Sequence, residues 1–354
     1  MGIPTEPIGS IPRPAELIAG QADFAAGRIG AEQLDELTAK ALADTITRFA
    51  ATGSPVVTDG EQAKSSFLTY PVAGLPDLDP GGLVVPFSDG HTRQLPTLTR
   101  GPFRYAAHAV DQLRAAQRLT DLPIKQPVIA ASALSLLYPA DGIDGYSREQ
   151  FLADLVDEAE ADIRQALDAG AHSVQLDFTE ARLTIKLDPS KSILRELVAL
   201  NNQVLSRFSA EERAKIGVHT CPGGDWDATH SADVDYADLL PDLFTLEAGQ
   251  FYVALAAEPD RRRVLSTIRD TLPADRRVFI GVTDPINPTV ETAAQVRDRV
   301  LEAAEFIPAD RLGTCDDCGF APFADDTSTS RDTAFAKIAA RVEGTREAEQ
   351  TLGV

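Results

Sequence analysis

The sharpest chemical signal in the sequence is His219-Thr220-Cys221, at the end of an apolar run reading IGVHT. Alternate residues of a strand point to one face. The imidazole and the thiol then stand side by side, either as half of a zinc site or as a buried histidine beside a buried cysteine. Pro222-Gly223-Gly224 follows and lets backbone approach closely. A second signal is Cys315-Asp316-Asp317-Cys318-Gly319. Cys318 becomes a third ligand if the fold brings the two strand ends together. C-x-x-C also admits a redox reading, but the intervening aspartates raise thiol pKa and oppose a reactive thiolate. A zinc knuckle would want a second C-x-x-C. Three protein ligands with an open fourth position make a catalytic zinc. A thiol bound there loses its proton at neutral pH and becomes a nucleophile without a separate base.

Carboxylates supply the next constellation. Asp59-Gly60-Glu61 follows the run PVVT, and Asp177, with Glu180 close behind, follows HSVQL. At strand ends such acids hold an ammonium group or tune a proton; elsewhere they are helix caps or solvated loops. Ile8-Gly9-Ser10, followed by Pro12-Arg13, offers backbone N–H groups to a carboxylate, or is a turn tying down the N-terminus. His91, His108, His172 and His230 show no ligand spacing and read as surface or core residues. Trp226 lines the mouth of the site or merely packs.

These residues need a scaffold that gathers strand ends. Short β-branched runs bounded by Gly, Pro or Asp predict strands at Pro55–Thr58, Pro127–Ser132, His172–Asp177, Ile216–Thr220, Phe251–Ala256 and Arg277–Val282, with weaker ones at Ile8–Ser10 and Leu312–Thr314. Amphipathic spacing predicts helices at Phe151–Ala169, Val290–Phe306 and Ala31–Ala51. Ser147 and Gln150 form a capping-box spacing before the first of these. About eight strand–helix units point to a single α/β domain, a (β/α)8 TIM barrel over residues 1–354. The main competitor, a doubly wound sheet, would show a glycine-rich phosphate loop, and none is present. The Pro- and Gly-rich stretch at 74–101 reads as an inserted hairpin or lid.

Composition narrows the function. The 354 residues carry a formal charge of −21, which argues against nucleic-acid or anionic-membrane partners. Three cysteines exclude a disulfide scaffold. With no signal peptide and no apolar run of membrane-spanning length, the expected location is cytoplasmic, with reduced thiols.

Taken in order, I-G-S, D-G-E, Q-x-D, H-x-C and the late C-G resemble the C-terminal catalytic domain of cobalamin-independent methionine synthase over nearly the whole chain. The resemblance implies a zinc-bearing barrel of the methionine synthase/uroporphyrinogen decarboxylase type. His219, Cys221 and Cys318 would bind Zn2+; Ile8, Gly9, Ser10, Glu61 and Asp177 would bind homocysteine. The implied reaction is S-methylation of that small-molecule thiol by an alkyl donor. Departures from the family are specific. The strand after H-x-C carries Leu255 where the family has a zinc-binding glutamate, with Glu258 three residues on as a possible fourth ligand. Leu136 is nearest to the family's folate-stacking tryptophan, and GVTDPINP lacks its histidine. HTCPGGD, DFTEARL and DDCGFAPF also resemble the branch containing epoxyalkane:coenzyme M transferase. That alternative implies epoxide opening by zinc-bound coenzyme M, with Arg13, Arg100 or Arg182 as sulfonate partners. A barrel of the uroporphyrinogen decarboxylase type without zinc, and a non-catalytic thiol- or zinc-binding protein, complete the alternatives. Cys315 is left without a role.

Overall fold

The computed structural model describes residues 2–354. Six parallel strands lie side by side in chain order: Lys125–Ile129, Ser173–Asp177, Ile216–Thr220, Gln250–Val253, Arg277–Thr283 and Leu312–Asp316. Each is buried along nearly its whole length, as expected of strands covered on both faces. Two N-terminal segments complete the ring. Thr5 bridges Thr314 of the last strand, and Val57 bridges Ile124 beside the first. The two segments meet each other where Ile11 N donates to the Gly60 carbonyl (3.0 Å) and Thr58 Oγ1 to the Gly9 carbonyl (2.8 Å). Helices including Arg148–Asp168, Ser192–Leu205 and Arg331–Leu352 cover the outside. This is the barrel expected from strand–helix alternation.

The differences from the sequence-based boundaries have local causes. Ile8–Ser10 and Pro55–Thr58 are not full strands; Val57 keeps a single bridge, and the N-terminal bridge falls upstream, at Thr5. Pro4, Pro7 and Pro55 lack the N–H that a ladder needs. The strand expected to run to Ala256 stops at Val253, because Asp317 captures the next N–H groups: Leu255 and Ala256 on Oδ1 (2.7 and 2.8 Å) and Ala257 on Oδ2 (2.9 Å). The helix after Ser147 is capped as its spacing predicts. Gln150 N donates to Ser147 Oγ (3.3 Å) and Ser147 N to Gln150 Oε1 (2.8 Å).

Residues 74–101 leave the barrel as a strap. Leu78–Asp79 pairs antiparallel with Thr97–Leu98, and Val84–Pro86 with Thr92–Gln94. A second small hairpin follows Cys221, pairing Gly224–Asp225 with Ala228–Thr229. Its two tip residues, Trp226 and Asp227, both have positive φ (47° and 60°), as a tight two-residue hairpin turn requires.

Closure of the ring depends on a buried ion pair. Arg341, on the C-terminal helix, donates from Nε to Asp316 Oδ1 (3.0 Å) and from Nη1 to Thr5 Oγ1 (2.6 Å). It thereby joins that helix, the last strand and the N-terminal segment. Removing one partner of such a pair strands a buried charge. Arg341→Ala should lower the unfolding free energy by about 3–5 kcal/mol, read as a fall in the urea midpoint. An unchanged midpoint would show that closure does not rest on this pair.

Candidate active site

The C-terminal ends of the strands open into one cavity of about 480 Å³. In-register pairing sets its polar wall: Ile129 pairs with Asp177 and Asp177 with His219 on successive strands. The acid and the imidazole therefore emerge side by side. Cys221 follows the strand Ile216–Thr220, and Cys318 arrives from the loop after the last strand. Their sulfurs stand 3.0 Å apart although 97 residues separate them in sequence. Ligand atoms of His219, Cys221 and Cys318 all lie within 4.8 Å of one another, and all three residues are buried. Neither ring nitrogen of His219 has a hydrogen-bond partner. An imidazole buried to 1% exposure normally has both nitrogens satisfied. Partnerless ring nitrogens beside two sulfurs fit the binding of a cation, and the mixed N/S donor set suits zinc. The two thiols split their protonation. The hydrogen bond from Cys221, with His219 nearby, holds the Cys318 thiol well below its ordinary range, while the same contact and burial push Cys221 well above it.

Cys315 takes no part. It packs with Ile8, Tyr252 and Phe279 inside the barrel, and its thiol is directed to the Phe279 carbonyl (3.6 Å). Burial pushes it well above the ordinary thiol range. The two cysteines of C-x-x-C thus face different surroundings, and Cys318's sulfur partner is Cys221.

The acids flank this group. Glu61, Asp177, Ile8, Ser10, His219 and Cys318 share the cavity wall. Glu61 has φ +55°, a strained backbone for a non-glycine residue. Its Oε2 has no partner, and the nearest cation, Lys64 Nζ, lies 3.9 Å from Oε1. Burial pushes the Glu61 carboxyl up to about 7; Lys64 opposes this, and neighbouring Asp177 adds to it. Asp177 is also raised by burial, while Gln175 Nε2 donates to its Oδ1 (2.8 Å). Gly9 is needed here, because a Cβ would sit 2.9 Å from both Glu61 Oε1 and Pro127 Cγ. Gly319 is needed for a similar reason, since its Cβ would lie 2.2 Å from Ser10 Oγ. The Gly-Ser turn is thereby pressed against the loop carrying Cys318, with Phe320 N donating to the Ser10 carbonyl (2.9 Å).

Other expected participants lie elsewhere. Glu258 is held by Arg182, whose Nη1 donates to Oε1 at 2.6 Å, and it is outside the His219–Cys221–Cys318 group. Arg182 also donates to the Val234 and Ala232 carbonyls. Arg13 donates to the carbonyls of Ala321, Glu61 and Lys64. Arg100 pairs with Asp77 at the surface. None of the three lines the cavity, so the coenzyme M alternative is left without its sulfonate partners.

The strap supplies apolar lining residues that the reading of 74–101 as a hairpin or lid did not name. Leu83, Val85, Phe87 and Leu95 line the cavity together with Leu136 and Phe323. Arg93 fastens the strap down. It donates to Asp225 (Nε to Oδ2, 2.5 Å) and to Asp325 (Nη2 to Oδ1, 2.9 Å), and its guanidinium lies 4.2 Å from the Phe323 ring centre. His91 reaches the same Asp225 (3.0 Å). His230, read from sequence as bland, also lines the cavity; burial and the cations Lys186 and Arg182 push it down to about 4. Alternation of apolar residues within 83–95 was the available signal for the strap, but it names no partner surface.

The profile of the cobalamin-independent synthase catalytic domain matches residues 3–341. The chain is 27% identical, over 90% of its length, to 5-methyltetrahydropteroyltriglutamate–homocysteine methyltransferase from Streptomyces avermitilis, and spans 39% of that protein. It is 23% identical to a methionine synthase from Saccharolobus solfataricus, covering 99% of this chain and 96% of that one. In fold it is similar to a B12-independent methionine synthase from Shewanella sp. W3-18-1 in complex with selenomethionine (TM-score 0.76, 20% identity, 99% of both chains). The chain belongs to the cobalamin-independent synthase catalytic-domain family.

If Arg93 is the strap's main fastening, Arg93→Ala should speed chymotryptic cleavage after Leu83 and Phe87. Cleavage at the wild-type rate would place the fastening elsewhere.

Proposed function

We propose that this member of the family methylates the thiol of homocysteine, using zinc held by His219, Cys221 and Cys318. The observation that carries the reading is the buried imidazole with two orphaned nitrogens, clustered with two sulfurs beside a cavity whose wall also carries the acids Glu61, Asp177 and Glu180. Zinc bound there would lower the pKa of the substrate thiol, presenting it as thiolate at neutral pH. The names of the relatives support a tetrahydropteroylglutamate as methyl donor.

The chain's own residues do the rest. Glu61 and Asp177 take the substrate ammonium, and this gives two buried carboxyls, one of them with the unpartnered Glu61 Oε2, a counter-charge. The turn Ile8–Gly9–Ser10, braced by Thr58 on the Gly9 carbonyl, closes the amino-acid end of the cavity. Leu83, Phe87, Leu136 and Phe323 form an apolar wall for the donor and keep water from the nucleophile. Holding both partners in one small cavity replaces a bimolecular encounter with an oriented one.

Two results check this assignment. Zinc content by mass spectrometry should be near one per chain for the wild type and for Cys315→Ser, and strongly reduced for Cys221→Ser and Cys318→Ser. Loss of zinc from Cys315→Ser alone would overturn the ligand assignment. The second concerns pH. Glu61 is pushed up to about 7, so its carboxylate forms as pH rises through that value. Methionine has no thiol to titrate, so its binding isolates this step. Its affinity should weaken as pH falls from 8 to 6, by up to about tenfold per unit below the pKa, and Glu61→Gln should flatten the profile. Binding to the wild type that does not vary with pH would remove Glu61 from the ammonium site.

A further inference from the structure

Glu180 opens the helix Glu180–Leu187 and lines the cavity at 8% exposure. Its two carboxyl oxygens differ. Oε1 accepts from Ser132 Oγ at 2.5 Å. Ser132 Oγ in turn accepts from Asn201 Nδ2 (2.9 Å), and Asn201 Oδ1 accepts from Ser132 N (3.1 Å). The second contact fixes the orientation of the Asn201 amide. With Asn201 donating to it, the Ser132 hydroxyl directs its own proton to Oε1. With the Ser132 hydroxyl donating to Oε1, the proton of the acid form sits on Oε2, which is buried and has no partner. Burial, with Asp177 adding to it and Ser132 opposing it, pushes Glu180 up to about 7. The acid form is thus populated at neutral pH, where a general acid works best.

Methyl transfer from a tertiary amine needs such a group, because a nitrogen leaving without a proton is a very strong base. Among the titratable residues on the cavity wall, Glu61 and Asp177 face the ammonium and His219 belongs with the sulfurs in the reading above. His230, pushed down to about 4, carries no acidic proton at neutral pH. We propose that the Glu180 carboxylic acid delivers the proton from Oε2 to the donor nitrogen as its methyl group departs. This rests on the proposed homocysteine methylation. The sulfur–carbon bond forms while the carbon–nitrogen bond breaks. The electron pair left on nitrogen takes the Glu180 proton, leaving the carboxylate. The proton released when the next substrate thiol ionises restores the acid. Over a cycle, thiol and N-methyl donor become thioether and N–H, with no oxidant or reductant consumed.

Glu180→Gln keeps an acceptor for Ser132 and puts an N–H donor in place of Oε2 but cannot give up a proton. With homocysteine and 5-methyltetrahydropteroyltriglutamate, its kcat should fall by about 10²-fold or more, with homocysteine KM and zinc content unchanged. Methylation of enzyme-bound homocysteine by methyl iodide, whose leaving group needs no proton, should proceed near the wild-type rate. An undiminished kcat with the N-methyl donor overturns the role of Glu180 and leaves the homocysteine reading intact. So does an equal loss with both donors, which would mark a positioning or folding defect. A wild type that alkylates homocysteine with methyl iodide but not with the N-methyl donor overturns both the donor and the role of Glu180. A wild type inactive with either overturns the homocysteine reading itself.

Discussion

Two sulfurs 3.0 Å apart and a buried imidazole with no partner make an arrangement that needs a positive charge. Without one, the sulfurs can only share a proton, which is why one thiol is driven up and the other down. The chain brings this unfavourable grouping together from distant segments, and barrel closure is what enforces it. Cys318 is placed by the last strand, which is bound to the N-terminal segment through the Thr5–Thr314 bridge and to the C-terminal helix through Asp316 and Arg341. Stability invested in closure thus holds donor atoms where they repel or go unsatisfied, as is usual for a metal site assembled before its ion arrives.

The same economy governs the acids. A −21 charge on the whole chain says little, since most acids are solvated at the surface. Glu61 and Asp177 differ because in-register strand ends and a glycine-pressed turn bury them together. Their raised pKa values express the cost of that burial. In the proposed reaction a substrate ammonium would relieve the cost, so the energy of burying two acids would become selectivity for an amino acid. On the other side, the strap gives the cavity an apolar wall, and the Arg93–Asp225–Asp325 cluster holds that wall over the strand ends.

Much of this was legible in the sequence because it is written in short local patterns. The strand Ile216–Thr220, the helix Ala31–Ala51 and the capping box at Ser147 follow from periodicity and end signals alone. The meeting of Cys221 with Cys318 was legible only through the barrel: once strands are arranged in a ring, their C-terminal ends must converge. Other features depend on contacts that local patterns do not encode. Glu258 sits five residues past the end of the strand Gln250–Val253, yet Arg182 holds it away from the sulfurs. Val253 ends its strand because of an aspartate 64 residues downstream, Asp317. Glu180 looked like one more acid until Ser132 and Asn201 gave its two oxygens different tasks.

X-ray absorption at the zinc edge, with and without homocysteine, tests most directly whether the His219–Cys221–Cys318 group holds zinc that meets the substrate sulfur. Two sulfur scatterers are expected in the purified protein and three once homocysteine is added. A sulfur count unchanged by homocysteine, or a protein that retains no zinc, would contradict this assignment.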